Sequence, residues 1–366
     1  MDKRQKVLIC GVLPPPYFGH SMLYEMLMAS SFPQAFQVSF LNMHFWSYRT
    51  NKKVTVEKLF RLVYYFCQFV WRLLAFRPRF VFYNISFYRM PFLKDFLFCA
   101  TAILAGRKLV LHDHGQYVRE LHEGLPGWQR CMLRWMLGHS AASIIMGENV
   151  RLYYDGLMPR ERLLVVPGTA QDTLSLDVPV KKKDGEVVIL YFSHMSRDKG
   201  VFVAFGALQQ ILSAFPFVRW VFAGPLENDQ VKSCVEKCQQ DFPGRVDCLG
   251  YIHGVQERTA LFRSADIFVF PTLRDVFGLV LLHAMAEGLP VVASREGTIP
   301  EILPDEKHGI LFEKGNVSEF CRSLEGLITD GQKRALLGRN NRRRFETTYS
   351  LQQYGRAMVR VFGQIS

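Results

Sequence analysis

The segment 266–301, DIFVFPTLRDVFGLVLLHAMAEGLPVVASREGTIPE, decides the fold. Four apolar residues, Ile267–Phe270, lie between Asp266 and Pro271, the pattern of a strand buried on both faces of a parallel sheet. A loop over 271–275 follows, then a helical pattern over 277–287 that Gly288 and Pro290 end. A second apolar run, 291–293, leads through Gly297 into another helix near Pro300. This order of strand, loop and helix, repeated once, predicts ligand binding beyond the carboxyl ends of the strands. The backbone amides of Phe277, Gly278 and Leu279 are expected to open the helix unpaired, at the positive end of its dipole. Gly278, lacking a side chain, is expected to let a ligand approach the backbone. Asp275 stands just before the turn and His283 about two helical turns later. Taken singly, they read as an N-cap and a satisfied helix polar residue.

Taken together, the pattern is more specific. Phe277-Gly278, Ala284-Met285-Ala286, Gly288-Leu289-Pro290-Val291-Val292-Ala293 and Gly297 with Pro300-Glu301 resemble the signature of the family 4 retaining glycosyltransferases. The resemblance implies an α/β chain of the GT-B type, with two Rossmann-like doubly wound domains facing across a cleft. Two positions that hold Glu in that signature hold Asp275 and His283 here. The resemblance is strong over 245–312, moderate over 186–224 and weak before 140. That gradient fits a second domain for a common donor and a first domain for a variable acceptor.

A chain of 366 residues can bury two cores, and an apolar content of 49% with 21% charged residues is that of a globular protein. Eight cysteines without a paired framework point to reduced thiols and a cytoplasmic setting. The N-terminus runs straight into a strand pattern, with no secretory apolar run, and no segment is long and apolar enough to span a bilayer. The net charge of +12 is uneven: residues 1–180 carry 21 Lys+Arg against 12 Asp+Glu, the remainder 24 against 21. A basic first half suits phosphate-bearing partners such as an anionic membrane surface. No helix-turn-helix, zinc-finger or RNP pattern supports nucleic acid.

In chain order, strands are expected at 6–12, 37–41, 79–84, 108–112, 142–146 and 163–166, alternating with helices as in a parallel sheet covered on both faces. The loop Leu13-Pro14-Pro15-Pro16-Tyr17-Phe18-Gly19-His20-Ser21 resembles the family's glycine loop near donor and acceptor. Phe18 replaces the first glycine and Gly19 supplies the second. Residues 59–98 hold 15 aromatic side chains. Within them LFRLVYYFCQFVWRLLAF is broken only by Arg61, Gln68 and Arg72 on one narrow stripe. It reads either as a core helix or as a monotopic contact with the inner face of a cell membrane. The apolar stretch 92–105 fits a helix covering the sheet. The strand at 108–112 ends in Asp113-His114-Gly115, where the resemblance implies that His114 lies close to the transferred sugar. His112 falls on the opposite face of the strand or one step deeper.

The turn-rich stretch 166–185 reads as a linker. It divides a first domain over 1–180 from a second over 181–350, with a final helix over about 351–366 returning to the first. The strand at 186–192 leads into the loop Ser193-His194-Met195-Ser196-Arg197-Asp198-Lys199-Gly200, where a cation beside a helix start suits a diphosphate. The resemblance implies that Lys199 neutralises the leaving phosphate, with His194 in place of the usual arginine and Arg197 as its substitute. Gly224, after the strand at 218–224, and Tyr251 in the loop after 245–249 complete the implied donor site. Arg339, Arg342, Arg343 and Arg344 read as a solvated face.

Asp275, His114 and Lys199 are therefore the expected catalytic residues. Gly19, His194, Arg197, Gly224, Tyr251, Phe277, Gly278, Leu279 and His283 are expected to bind the donor. The implied reaction moves a sugar from a nucleotide-sugar to a glycan or lipid-linked acceptor, as in surface polysaccharide or lipopolysaccharide synthesis, with no cofactor and no metal. The rival is a glycosyltransferase-like binding subunit that no longer transfers. A Rossmann dehydrogenase is disfavoured because no Gly-x-Gly-x-x-Gly follows a strand.

Overall fold

The computed structural model describes residues 4–15, 19–45, 56–87, 91–114, 118–180 and 182–365. Phe18 and Gly115, both singled out above, lie outside the described residues, as do Pro16 and Tyr17 of the first loop. The chain divides into two compact units, one formed by Met1–Gly168 with Leu351–Ser366 and the other by Thr169–Ser350.

The first unit holds a six-stranded parallel sheet of β1 (Lys6–Gly11), β2 (Gln37–Asn42), β3 (Phe80–Ile85), β4 (Lys108–Asp113), β5 (Ala142–Ile145) and β6 (Leu163–Val165), in the order β2-β1-β3-β4-β5-β6. The chain steps from β1 outward to β2 and then returns to the other side of β1, so the switch point lies between β1 and β3. The helix Leu351–Gln364 packs on this unit. Its Phe362 ring meets Phe32, Phe80 and Phe82 at 5.1–5.5 Å between centroids, and Gly355 leaves room for Ser30 and Ser31.

The second unit repeats the plan with β7 (Val187–Phe192), β8 (Val218–Ala223), β9 (Val246–Cys248), β10 (Ile267–Phe270), β11 (Val291–Ser294) and β12 (Ile310–Phe312), ordered β12-β11-β10-β7-β8-β9. Every residue of β10 and β11 is buried, which accounts for the unbroken apolar runs that marked them. Val187, Ile189 and Tyr191 pack with the helices Val201–Ala214 and Val317–Ile328 and with Trp220 in one core. Here the switch point falls between β7 and β10, and the two loops with the richest chemistry, 193–200 and 271–278, leave those two strands.

Three sequence expectations change. The stretch 169–180 is built into the second unit instead of serving as a free linker. Arg263 donates to the carbonyls of Thr173 and Leu176 and pairs with Glu287, while Arg342 holds Asp172 with two nitrogens at 2.9 and 2.7 Å. Arg342 is thus a clamp, not a solvated side chain, and Arg344 likewise donates to the carbonyls of Ile302 and Glu301; Arg339 and Arg343 are exposed as expected. Finally, the aromatic helix Val56–Ala75 is not a core helix, because only Phe69 and Leu73 among its residues are buried.

Candidate functional site

Three glycines bring the strand-end loops of the second unit into contact. Gly200 has φ +71°, and a Cβ there would lie 1.7 Å from the Pro271 carbonyl oxygen. At Gly224 the corresponding atom would lie 1.9 Å from the Ser193 oxygen, and at Gly297 2.3 Å from the Asp275 oxygen. The loops after β7, β8, β10 and β11 therefore touch backbone to backbone, at distances that only glycine tolerates. Gly224 was expected to face a donor; its missing side chain instead admits the loop after β7. Gly278, too, has its open side against Phe270 and Leu281.

Backbone bonds tighten the junction. The Asp198 carbonyl accepts from the amides of Leu273 and Arg274 and from the Thr272 hydroxyl, at 2.8–3.0 Å. Tyr191 donates from beneath to the carbonyl of Lys199 at 3.0 Å. On this frame Lys199 Nζ meets Asp275 Oδ2 at 2.5 Å, each side chain partly exposed. Asp275 Oδ1 accepts from the amides of Phe277 and Gly278 at 3.2 and 3.0 Å.

That last contact corrects the expected site. Two of the three amides expected to be open are taken by Asp275, and the turn they make, with Gly278 at φ +67°, delays the helix to Leu279–Ala286. Among the described residues only the Leu279 amide of the three has no acceptor. Asp275 is both a turn former and an ion-pair partner. Its Oδ2, which holds Lys199 alone, retains capacity for one further donor, whereas Oδ1 already accepts from two amides.

The other expected donor residues are more dispersed. His194 is exposed. The Arg197 amide bonds Glu227 Oε2 and its guanidinium lies over Phe202. Tyr251 sits beyond β9, at the edge of the sheet, against His253. His283 is half-buried near Phe262, and burial, aided by Arg258, pulls its pKa to about 3. A neutral His283 can exchange hydrogen bonds with a hydroxyl but cannot balance a phosphate charge.

In the first unit, His112 and His114 share one face, their ring centroids 4.0 Å apart. The period of two along a strand requires this, so His112 lies one step deeper and not on the opposite face. His20 and Tyr24, from the helix Gly19–Ala29, complete the group: His20 lies 5.7 Å from His114, and Tyr24 OH is 3.1 Å from His112 Nδ1. Gly11 lies so close to Tyr24 that a Cβ would meet its ring at 2.8 Å. Both ring nitrogens of His114 are buried without a hydrogen-bond partner among the described residues, an arrangement suited to a ligand. Sequence reading missed His20 and Tyr24, although His20 stands inside the loop quoted for its glycine. Gly19 itself is exposed at the start of the helix.

Burial, and then His20, pull the His112 pKa to about 3, against 6.5 in the unfolded chain. Between those values the unfolded state binds the extra proton. The contribution to stability is therefore complete above about pH 6.5 and is lost as pH falls toward 3. We expect His112 alone to remove roughly 2 kcal/mol from the first unit between pH 6.5 and about 5. Denaturant unfolding should show this slope reduced by one proton in His112→Gln; an unchanged slope would contradict it.

With this geometry in place, comparison with known proteins defines the class. Residues 175–344, which lie within the second unit, match the model of the family of glycosyl transferases group 1. The chain is 31% identical over 175 residues to the sulfoquinovosyl transferase SQD2 of Arabidopsis thaliana, covering 47% of this chain and 33% of that protein. It is 28% identical over 166 residues to the capsular polysaccharide biosynthesis glycosyltransferase CapM of Staphylococcus aureus, covering 45% and 43%. The matched segment thus spans less than half of either relative. Anabaena HepE, solved in complex with UDP-glucose, superposes with a TM-score of 0.71 at 16% identity, over 99% of this chain and 100% of that one. The fold is GT-B, made of two Rossmann-like α/β domains.

Proposed function

We propose that this protein is a retaining glycosyltransferase that moves a sugar from a nucleotide diphosphate to a hydroxyl of a glycan or lipid-linked acceptor in surface polysaccharide synthesis. The observation that carries the reading is Lys199 at the switch point of a group 1 domain, held by Asp275 from the facing loop. A cation and a helix start beside a crossover are the groups a pyrophosphate requires. In this reading Lys199 and the Leu279 amide stabilise charge on the departing diphosphate, which takes the acceptor's proton on the same face of the sugar. Asp275 orients Lys199 and accepts a sugar hydroxyl, and His283, neutral, bonds the ribose. His114 offers its ring nitrogens to the sugar or acceptor. No metal enters the proposed reaction.

The relatives support the donor and acceptor classes: one is named for capsular polysaccharide biosynthesis, and the solved neighbour holds UDP-glucose. A second reading, a binding subunit without turnover, is favoured by Asp275 neutralising Lys199 and occupying two amides. Incubation with UDP-, GDP- and ADP-sugars and a bacterial lipid extract separates the two. Nucleotide release with a product of unchanged anomeric configuration is expected. Binding without release across all donors would replace this reading with the second.

A further inference from the structure

The helix Val56–Ala75 is built inside out. Only Phe69 and Leu73 of its residues are buried; Phe66 and Phe69 rest against Phe98 of the helix Phe92–Leu104, and Tyr65 against Phe45. The polar stripe of Arg61, Gln68 and Arg72 is consumed locally: Arg61 bonds Glu57 and the His44 carbonyl, and Arg72 bonds Gln68. What points outward is apolar. Phe60 is 72% exposed and Trp71 65%, with Leu59, Val63, Tyr64 and Leu74 beside them at helical spacing.

The apolar surface extends past one helix. On the neighbouring helix Phe92–Leu104, Leu93, Leu97 and Leu104 are exposed at intervals of four and seven residues. Phe96 of that helix touches Trp135 of the helix Gly127–His139, on which Trp128 is exposed. An isolated surface leucine needs no explanation, but a run of large apolar groups across adjoining helices does.

Charge selects the occupant. Between 56 and 79 the only acidic residue is Glu57, against Lys58, Arg61, Arg72, Arg77 and Arg79. Arg77 and Arg79 are exposed at the end of the helix, and Arg130 and Arg134 are exposed on Gly127–His139. A basic margin around aromatic and aliphatic side chains matches a bilayer with anionic headgroups: the rings enter the interface while guanidinium groups meet phosphate.

We propose that these helices dock the first unit on an anionic lipid bilayer, with Phe60, Trp71 and Leu74 inserted at the interface. The inference deepens the reading of a lipid-linked acceptor, since docking here brings the acceptor-binding unit to the surface that carries such an acceptor. The experiment is co-sedimentation of the whole chain with phosphatidylglycerol-containing vesicles and with pure phosphatidylcholine vesicles. Binding to the anionic vesicles is expected, weakened at least roughly tenfold on neutral vesicles or in high salt. The Phe60→Ser/Trp71→Ser variant should lose roughly tenfold or more of the affinity while keeping the parent's thermal unfolding and UDP binding. Unaltered binding by that variant, equal binding to neutral vesicles, or no binding by the parent would overturn the proposal. So would a stable dimer that the same variant splits, since the occupant would then be a second copy. UDP binding is measured on the same samples, so failure of the transferase reading is distinguishable from failure of docking.

Discussion

Replacing Lys199 with alanine is expected to lower the rate of sugar transfer by about a hundredfold, as loss of one preorganised charge at a departing anion does. Lys199 is partly exposed, so its removal leaves no cavity, and Asp275 keeps the two amides that hold its turn. The second unit should therefore unfold at nearly the parent's temperature while turnover collapses. Lys199→Arg restores the charge but not the compact shape of the ammonium, and is expected to recover part of the loss. Nucleotide release measured beside thermal unfolding checks both statements. A near-parental rate in the alanine variant would contradict the role given to this side chain.

The second large effect is mechanical. In Gly200→Ala the new methyl group would lie 1.7 Å from the Pro271 oxygen, on a backbone whose φ of +71° already disfavours a side chain. Either the loop after β7 or the loop after β10 must withdraw, which separates Lys199 from Asp275. We expect the second unit to lose roughly 3 kcal/mol or more, and to lose nucleotide binding with it. Gly244→Ala is the control: its φ is +72°, but nothing lies within 4 Å of the added atom. There only the backbone penalty of about 1 kcal/mol remains. Denaturant unfolding of the two variants tests the account, and equal losses would show that loop contact is not what Gly200 protects.

These positions show how far the sequence could be read. The two parallel sheets were legible because strands buried on both faces are written as unbroken apolar runs between turn residues, as in VVILYF and IFVF. Lys199 and Asp275 were legible as chemistry because each stands in a loop after such a strand. Their contact was not, since it arises from a crossover joining strands far apart in the chain. The amides of Phe277 and Gly278 were misread because a carboxylate two or three residues upstream competes with a ligand for the same donors. Gly278 was assigned to ligand approach and Gly224 to the donor site, because a sequence does not reveal the neighbouring side chains and backbone that fill their open sides. The helix Val56–Ala75 was misjudged in its first reading for a similar reason. An apolar helix has a core side and an outer side, and only packing against Phe98 shows which is which.

The central claim is that the second unit grips the diphosphate of an activated sugar through Lys199 and the start of the helix Leu279–Ala286. The most direct measurement is a crystal structure of the chain soaked in turn with UDP, GDP and ADP. One of them is expected to bind beyond the carboxyl ends of β7 and β10, with a phosphate oxygen in hydrogen-bond reach of Lys199 Nζ. No nucleotide there, with the Lys199–Asp275 pair unchanged in every soak, would contradict the account.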